Sequence, residues 1–296
     1  SWYERNASTG DLIFGGVLKD GDNGGTVDGL LGAQQVVLSY DGNHAYVTGL
    51  NENAISWYER NATTGALSFL GVLKDGSGGG TVDGLAGARW LCLSADDLHL
   101  YVTGQNEDAV SWYERNATTG ALTFGGVLKC LTHGGTVPDL ALDGARQVNI
   151  SSDGKHVYVC AYESDAVSWY ERNATSGALS FLGHLKGVSN GGTVNGLDGP
   201  SSIVLSANGD FAYASATLDA SVSWFSRDSS TGDLTFQGQL TEGSGGVENL
   251  LGVNDIVLSP DGKFLYATTF TDDSITWFLV DPHAGALIYN EGNEST

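Results

Sequence analysis

The chain has 296 residues and carries 35 acidic side chains against 13 basic ones, a formal charge of −22 at pH 7. That excess excludes nucleic acid and anionic membrane surfaces as partners, because both need a basic footprint. With 43 glycines, 29 aromatic residues and only four prolines, the chain reads as short strands joined by tight turns rather than as disorder.

In chain order, the first element is an aromatic box, SWYERN at Ser1, which recurs at Ser56, Ser111 and Ser168 and in altered form at Ser223 and Thr276. The spacings are 55, 55, 57, 55 and 53 residues, a period that means stacked supersecondary units, with a propeller as the leading architecture. The unit starting at Ala88 shows the pattern. ARWLCLS is an apolar run, Asp96 and Asp97 turn the chain, and HLYVTG is rich in β-branched and aromatic residues. A second turn leads into AVSWYERN, and ATTG leads into ALTFGGVL. Four strands, each reversed by a polar or glycine-containing turn, make one antiparallel blade. No helical period of useful length interrupts them. With the strands named A to D from axis to rim, complete blades are expected at 33–73, 88–128, 145–185, 200–240 and 253–290, and residues 1–18 hold only C and D. The fold class is therefore an all-β propeller within one domain spanning 1–296. It has five complete blades and a C–D half-blade, six-bladed when complete. A half-blade leaves a bare strand edge. Together with the missing initiator Met, this places the true start upstream, or else has another chain supply the inner strands. No run of 18 apolar residues is present, so no helix is expected to span a bilayer.

The phrases LSPDGKFLYAT (258–268) and HVYVCAYESDAVSWYERNATSGAL (156–179) resemble the YVTN-type repeats of the lactonase-like β-propeller family. That family includes bacterial 6-phosphogluconolactonase-type proteins and fungal muconate-lactonizing enzymes. The resemblance covers the whole chain and implies the fold more strongly than the reaction. It implies lactone hydrolysis as one activity, and family members have seven blades where this chain shows fewer.

Asn6, Asn61, Asn116 and Asn173 each begin an Asn-x-Ser/Thr tripeptide at the C–D turn, and further tripeptides begin at Asn149 and Asn293. Such patterns accept N-linked sugars when they are exposed in a secretory compartment. Asn149 lies within strand A and reads as buried. Asn, Thr and Gly also simply favour reversals, and Asp228 keeps the turn without the asparagine. Four acceptors at one structural position favour a glycosylated protein that is secreted or displayed at a cell surface.

Six of the seven tryptophans, one per box, read as packing between blades, and Trp90 stands apart near the start of a strand A. His44, His99 and His156 share a column with Phe211 and Phe264, so that column reads as packing and not as proton transfer. The Glu-Arg pairs of the boxes read as rim contacts. A different column varies while the scaffold around it repeats: Gln34, Arg89, Arg146, Ser201 and Asn254 open strand A, at the mouth of the central channel. It is the candidate ligand-binding ring. The alternative catalytic set places Arg89 and Arg146 at a developing oxyanion or product carboxylate, with Glu107 or Glu163 as acid/base. The competing reading is a water-filled polar channel.

Cys130 and Cys160 fall on one face of the ring and are expected to form a disulfide, as suits an oxidising compartment, whereas Cys92 reads as a buried apolar residue. No metal site is expected. CLTH (130–133) offers too few ligands for zinc, and DGDNGG (20–25) only faintly suggests a calcium loop.

Two functions follow. The favoured one is an extracellular glycoprotein without enzymatic activity, which binds glycans or proteins or assembles with copies of itself through near-identical blades. The alternative is a lactonase-type hydrolase with one asymmetric pocket at the channel mouth.

Overall fold

The computed structural model describes residues 1–289. At the N-terminus, β1 (Trp2–Arg5) and β2 (Leu12–Gly16) pair as a two-stranded sheet. Five four-stranded antiparallel sheets follow. The first holds β3 (Ala33–Leu38), β4 (His44–Gly49), β5 (Ala54–Arg60) and β6 (Leu67–Lys74). The second holds β7 (Ala88–Leu93), β8 (His99–Gly104), β9 (Ala109–Arg115) and β10 (Leu122–Lys129). The third holds β11 (Ala145–Ile150), β12 (His156–Ala161), β13 (Ala166–Arg172) and β14 (Leu179–Lys186). In the fourth are β15 (Pro200–Leu205), β16 (Phe211–Ala216), β17 (Ser221–Arg227) and β18 (Leu234–Thr241). In the fifth are β19 (Val253–Leu258), β20 (Phe264–Thr269), β21 (Ser274–Val280) and β22 (Leu287–Ile288). Each sheet is a simple meander, and the inner strands β3, β7, β11, β15 and β19 lie side by side around the axis. The helical segments are turns of three or four residues, and no helix among those described is long and apolar enough to cross a membrane.

Period-two alternation sends side chains to both faces of each blade, and the blades in the middle of the series are buried on both. In β9, Val110 and Trp112 pack toward the third blade with Val148, Val157 and Val159. Tyr113, the next residue, packs the other way with Tyr46, Ile55 and Leu91. The box tryptophans thus join blade to blade. Trp57 also covers Gly71 of its own blade, where a Cβ would run into the indole ring, so this aromatic dictates a glycine on the neighbouring strand.

A polar clamp reinforces three of the blade junctions. Arg115, at the end of β9, reaches back to the first blade. Its Nε donates to Tyr46 Oη (2.7 Å), its Nη2 meets Asp41 Oδ2 (3.2 Å) and His44 Nδ1 (3.0 Å), and its Nη1 meets Asp97 Oδ2 (2.9 Å). Arg172 repeats this with Tyr101, Asp96 and His99, and Arg227 with Tyr158, Asp153 and His156. The box arginines are therefore buried between blades and are not rim residues, because strand C delivers its last residue against the preceding blade's A–B turn. The histidine column is structural. Burial, and then the adjacent guanidinium, hold the three imidazoles below the ordinary imidazole range.

The clamp stops at both ends of the series. Arg60, facing the two-stranded sheet, keeps only its bond to Gly42 O (3.0 Å) among the described residues. At the junction of the fourth and fifth blades, Val280 stands where the arginine would be and Phe211 where the histidine would be. The hydroxyl of Tyr213 is left there, buried and without a hydrogen-bond partner.

The expected disulfide is absent. Cys92, Cys130 and Cys160 are all thiols. Cys130 packs between the second and third blades. Cys160 points out of the opposite face of β12, toward the fourth blade, with Val167 and Ile203. Alternation along the strand places the third blade's sheet between them.

Candidate active site

Every inner strand carries a β-bulge at its first turn. In β3, Gln34 and Gln35 together oppose Thr48; in β7, Arg89 and Trp90 oppose Thr103; in β11, Arg146 and Gln147 oppose Cys160. In β15 and β19 the inserted residues are Ser201 and Asn254. The five candidate ring residues thus share one structural position, and a bulge re-aims side chains at the end of a sheet. The extra residue has a second effect: in four of the five inner strands it turns a second column toward the channel, which sequence reasoning missed. Gln35, Trp90, Gln147 and Asp255 line the wall of a channel cavity of about 450 Å³, together with Asn149 and Tyr40. The signal was present in the paired variable letters Gln-Gln, Arg-Trp and Arg-Gln, but a regular strand would send only one of each pair inward.

Threonines of the preceding blades fix the two arginines. Thr48 Oγ1 accepts from Gln35 N (3.2 Å) and donates to Arg89 O (2.9 Å). Thr103 Oγ1 accepts from Trp90 N (3.2 Å) and donates to Arg146 O (2.6 Å). Beyond the backbone, Arg89 Nη1 donates to Gln105 Oε1 (3.0 Å). The Arg146 guanidinium lies 3.4 Å from the centroid of the Tyr162 ring, and its Nε is buried without a hydrogen-bond partner. Burial and then the charge of Arg146 lower the basicity of Arg89. Burial likewise lowers that of Arg146, against the pull of Tyr162 and Glu163. Neither arginine forms an ion pair among the described residues. Two neighbouring, half-buried guanidiniums that form no ion pair suit an anion.

The other ring residues lie apart from this pair. Gln34 and Asn254 are exposed, and Gln34 Nε2 donates to Gly32 O (3.3 Å). Ser201 is buried and bonded to Ser215 Oγ (3.0 Å). Of the proposed acid/base residues, Glu163 is exposed but close enough to act on Arg146. Glu107 is engaged elsewhere, paired to Lys129 Nζ (2.9 Å) and accepting from Ala86 N (3.3 Å). Lys129 also pairs with Asp83 (2.5 Å), and Lys74 repeats the arrangement with Asp28 (2.8 Å) and Glu52 (2.9 Å). The carboxylates of Asp20, Asp28 and Glu52, and those of Asp75, Asp83 and Glu107, each gather within 4.8 Å. In each group a lysine ammonium already pairs with two of the three carboxylates, leaving out Asp20 in the first and Asp75 in the second. Cys92 lines the channel cavity, but burial pushes its thiol up to about 12, which leaves it protonated and non-nucleophilic.

The repeated asparagines have a local explanation. Asn61 Oδ1 accepts from Thr63 N (2.9 Å) and Thr64 N (3.0 Å), and Asn116 and Asn173 do the same in their turns. Asn6 matches them, and so do the aspartates Asp228 and Asp281. The turn uses an oxygen acceptor at this position, which explains the recurring side chain without requiring a sugar on its Nδ2. Asn149 is half-buried, with Nδ2 bonded to Ile203 O (3.1 Å). Asn293 lies outside the described residues.

Comparison with known proteins agrees with the propeller fold. The model of the family described as lactonase, 7-bladed beta-propeller matches residues 3–127, 131–195 and 183–296. A 6-phosphogluconolactonase of Pectobacterium carotovorum is 27% identical over 146 residues, which is 49% of this chain and 42% of that protein. The match therefore spans less than half the length of this relative. The periplasmic gluconolactonase of Pseudomonas aeruginosa superposes with a TM-score of 0.70 at 21% identity, over 97% of this chain and 76% of its own. A Lactobacillus plantarum protein gives 0.70 at 20% identity, over 87% and 70%. These findings overturn the expectation of a non-enzymatic extracellular binding or assembly module, since the matching family and two of these three relatives are described as lactonases. The propeller of five four-stranded blades and an N-terminal two-stranded sheet is as expected, while the family is described with seven blades.

Proposed function

Because the chain belongs to the lactonase, 7-bladed beta-propeller family, we propose that it hydrolyses a lactone that carries, or develops, negative charge at the channel mouth. One observation carries this reading: Arg89 and Arg146 are neighbours, half-buried, and neither forms an ion pair among the described residues, although Glu163 lies close enough to act on Arg146. When water adds to a lactone carbonyl, the carbonyl oxygen becomes an oxyanion. Guanidiniums already in place stabilise that charge without reorganising. They then hold the carboxylate of the ring-opened hydroxy acid. Trp90 offers an aromatic face for the ring, and Gln35, Gln147 and Asn149 offer amides for hydroxyl groups.

The names of the relatives direct attention to aldonolactones, with and without phosphate. A location outside the cytoplasm, as for the periplasmic neighbour, is compatible with this reading, and subcellular fractionation tests it. Activity is tested by following acid release from a panel of six-membered sugar lactones, their phosphate esters and a plain alkyl lactone. The expected result is hydrolysis well above the spontaneous rate. Changing either arginine to Ala is expected to lower kcat/KM by about 100-fold or more. Hydrolysis no faster than in buffer, across the whole panel, overturns the reading.

A further inference from the structure

We infer that Asp255 is the catalytic carboxylate that activates the attacking water, an assignment that rests on the lactone-hydrolase reading. Among the residues lining the channel cavity it is the one acid, and its counterparts in the other blades are Gln35, Trp90, Gln147 and Ser202. It follows the inserted Asn254, so the bulge of β19 turns it toward the axis. Two donors anchor one of its oxygens: Ser202 Oγ from the fourth blade (2.7 Å) and Ile256 N (3.0 Å), both to Oδ1. No described group donates to Oδ2, and no lysine or arginine pairs with the side chain. Of the other acids near the mouth, Glu52 and Glu107 are engaged by lysines, Asp108 by His133, and Asp165 by Ser189, Asn190 and Gly199, while Glu163 is exposed beside Arg146 and does not line the cavity. Asp255 is thus an oriented carboxylate with a vacant acceptor oxygen inside the cavity. Across the channel stands Trp90, which shares a bulge with Arg89.

The step balances with water as the sole co-reactant. Asp255 Oδ2 takes one proton as the water oxygen bonds to the lactone carbonyl carbon. The carbonyl π pair moves onto oxygen. The intermediate then collapses, and the bond between the carbonyl carbon and the ring oxygen breaks. The ring oxygen leaves as a hydroxyl carrying the proton held by Asp255. The hydroxy acid ionises on release, so one proton appears in solution per turnover.

The experiment compares the wild-type chain with Asp255→Asn, Asp255→Glu and Arg146→Ala on the lactone that the wild type hydrolyses best. Asn keeps an acceptor for Ser202 and Ile256 and removes the base. The expected result is a loss in kcat of about 100-fold or more in the Asn variant, with KM and thermal melting close to wild type. The acid limb of its pH–rate profile disappears, added formate restores part of the rate, and the Glu variant keeps part of the activity unaided. An unchanged kcat in the Asn variant, beside an impaired Arg146→Ala, overturns the assignment and leaves the lactonase reading standing. A lost activity that neither Glu nor formate restores, together with a lowered melting temperature, assigns Asp255 to structure and also overturns it. An inactive wild type overturns both.

Discussion

Arg172 Nε donates to the hydroxyl of Tyr101 (2.8 Å), and that hydroxyl donates onward to Gly177 O (2.9 Å). One residue of the third blade thereby joins the second blade's B strand to the third blade's own C–D turn. Removing the guanidinium strands the buried Tyr101 hydroxyl together with Asp96 and His99. Loss of one member of a buried network costs about 3 kcal/mol or more. Arg172→Ala is therefore expected to lower the denaturant midpoint strongly. Arg60→Ala, which loses only the bond to Gly42, is expected to cost about 1 kcal/mol. Equal losses in the two variants, measured by urea titration, would contradict the clamp.

The clamp also sets an acid sensitivity. Burial and then arginine hold His44, His99 and His156 below the unfolded imidazole value of about 6.5. Below that pH the unfolded chain binds more protons than the folded one. Stability is fully present above about pH 6.5 and declines as the pH falls toward the folded pKa values. Asp41 acts in a separate and lower window, since its hydrogen bonds to Ser39, Asn43 and Arg115 outweigh burial and hold it at about 2. Replacing all three histidines by Phe, the residue found at Phe211, is expected to flatten the stability profile between about pH 5.5 and 7.5 while the steeper loss near pH 3 remains. Chemical denaturation across this range reads the difference, and an unaltered profile would show that the imidazoles do not set it.

Tyr162 bears on Arg146 through its ring, and the stack contributes about 1 kcal/mol where water is partly excluded. Tyr162→Leu is expected to raise KM for an anionic lactone roughly fivefold with little change in melting temperature. Tyr162→Phe keeps the stack and is expected to remain near wild type. Steady-state kinetics with the charged and the uncharged lactone separate the two cases: the effect belongs to the charged one.

The sequence made the blades legible because each strand alternates on a period of two and each reversal is spelled with Asp-Gly, Asn or Thr-Gly. The site was legible in part. The varying column from Gln34 to Asn254 marks one position, and Arg89 and Arg146 do come together there. Asp255 escaped because a bulge adds one residue to an otherwise regular strand, and no single letter announces that. The structural role of the histidines could be read from their exchange with Phe211. Their arginine partners could not, since Arg115 lies 71 residues from His44 and only blade packing joins them. The Cys130–Cys160 pairing failed for the opposite reason: both ends of the strand path were placed correctly, but not the side of the sheet that each thiol faces.

The bare Tyr213 hydroxyl, beside Phe211 and Val280, has a kinetic corollary. A ring of blades that touch only their neighbours comes apart first where the coupling is poorest, and the joint without a guanidinium is the one that seats β19 and its Asp255. On mild warming, turnover should fade while the indoles of Trp57, Trp112 and Trp169 still report an intact interior. Lactone turnover, if it rests on Asp255, is expected to be lost well before the fold melts.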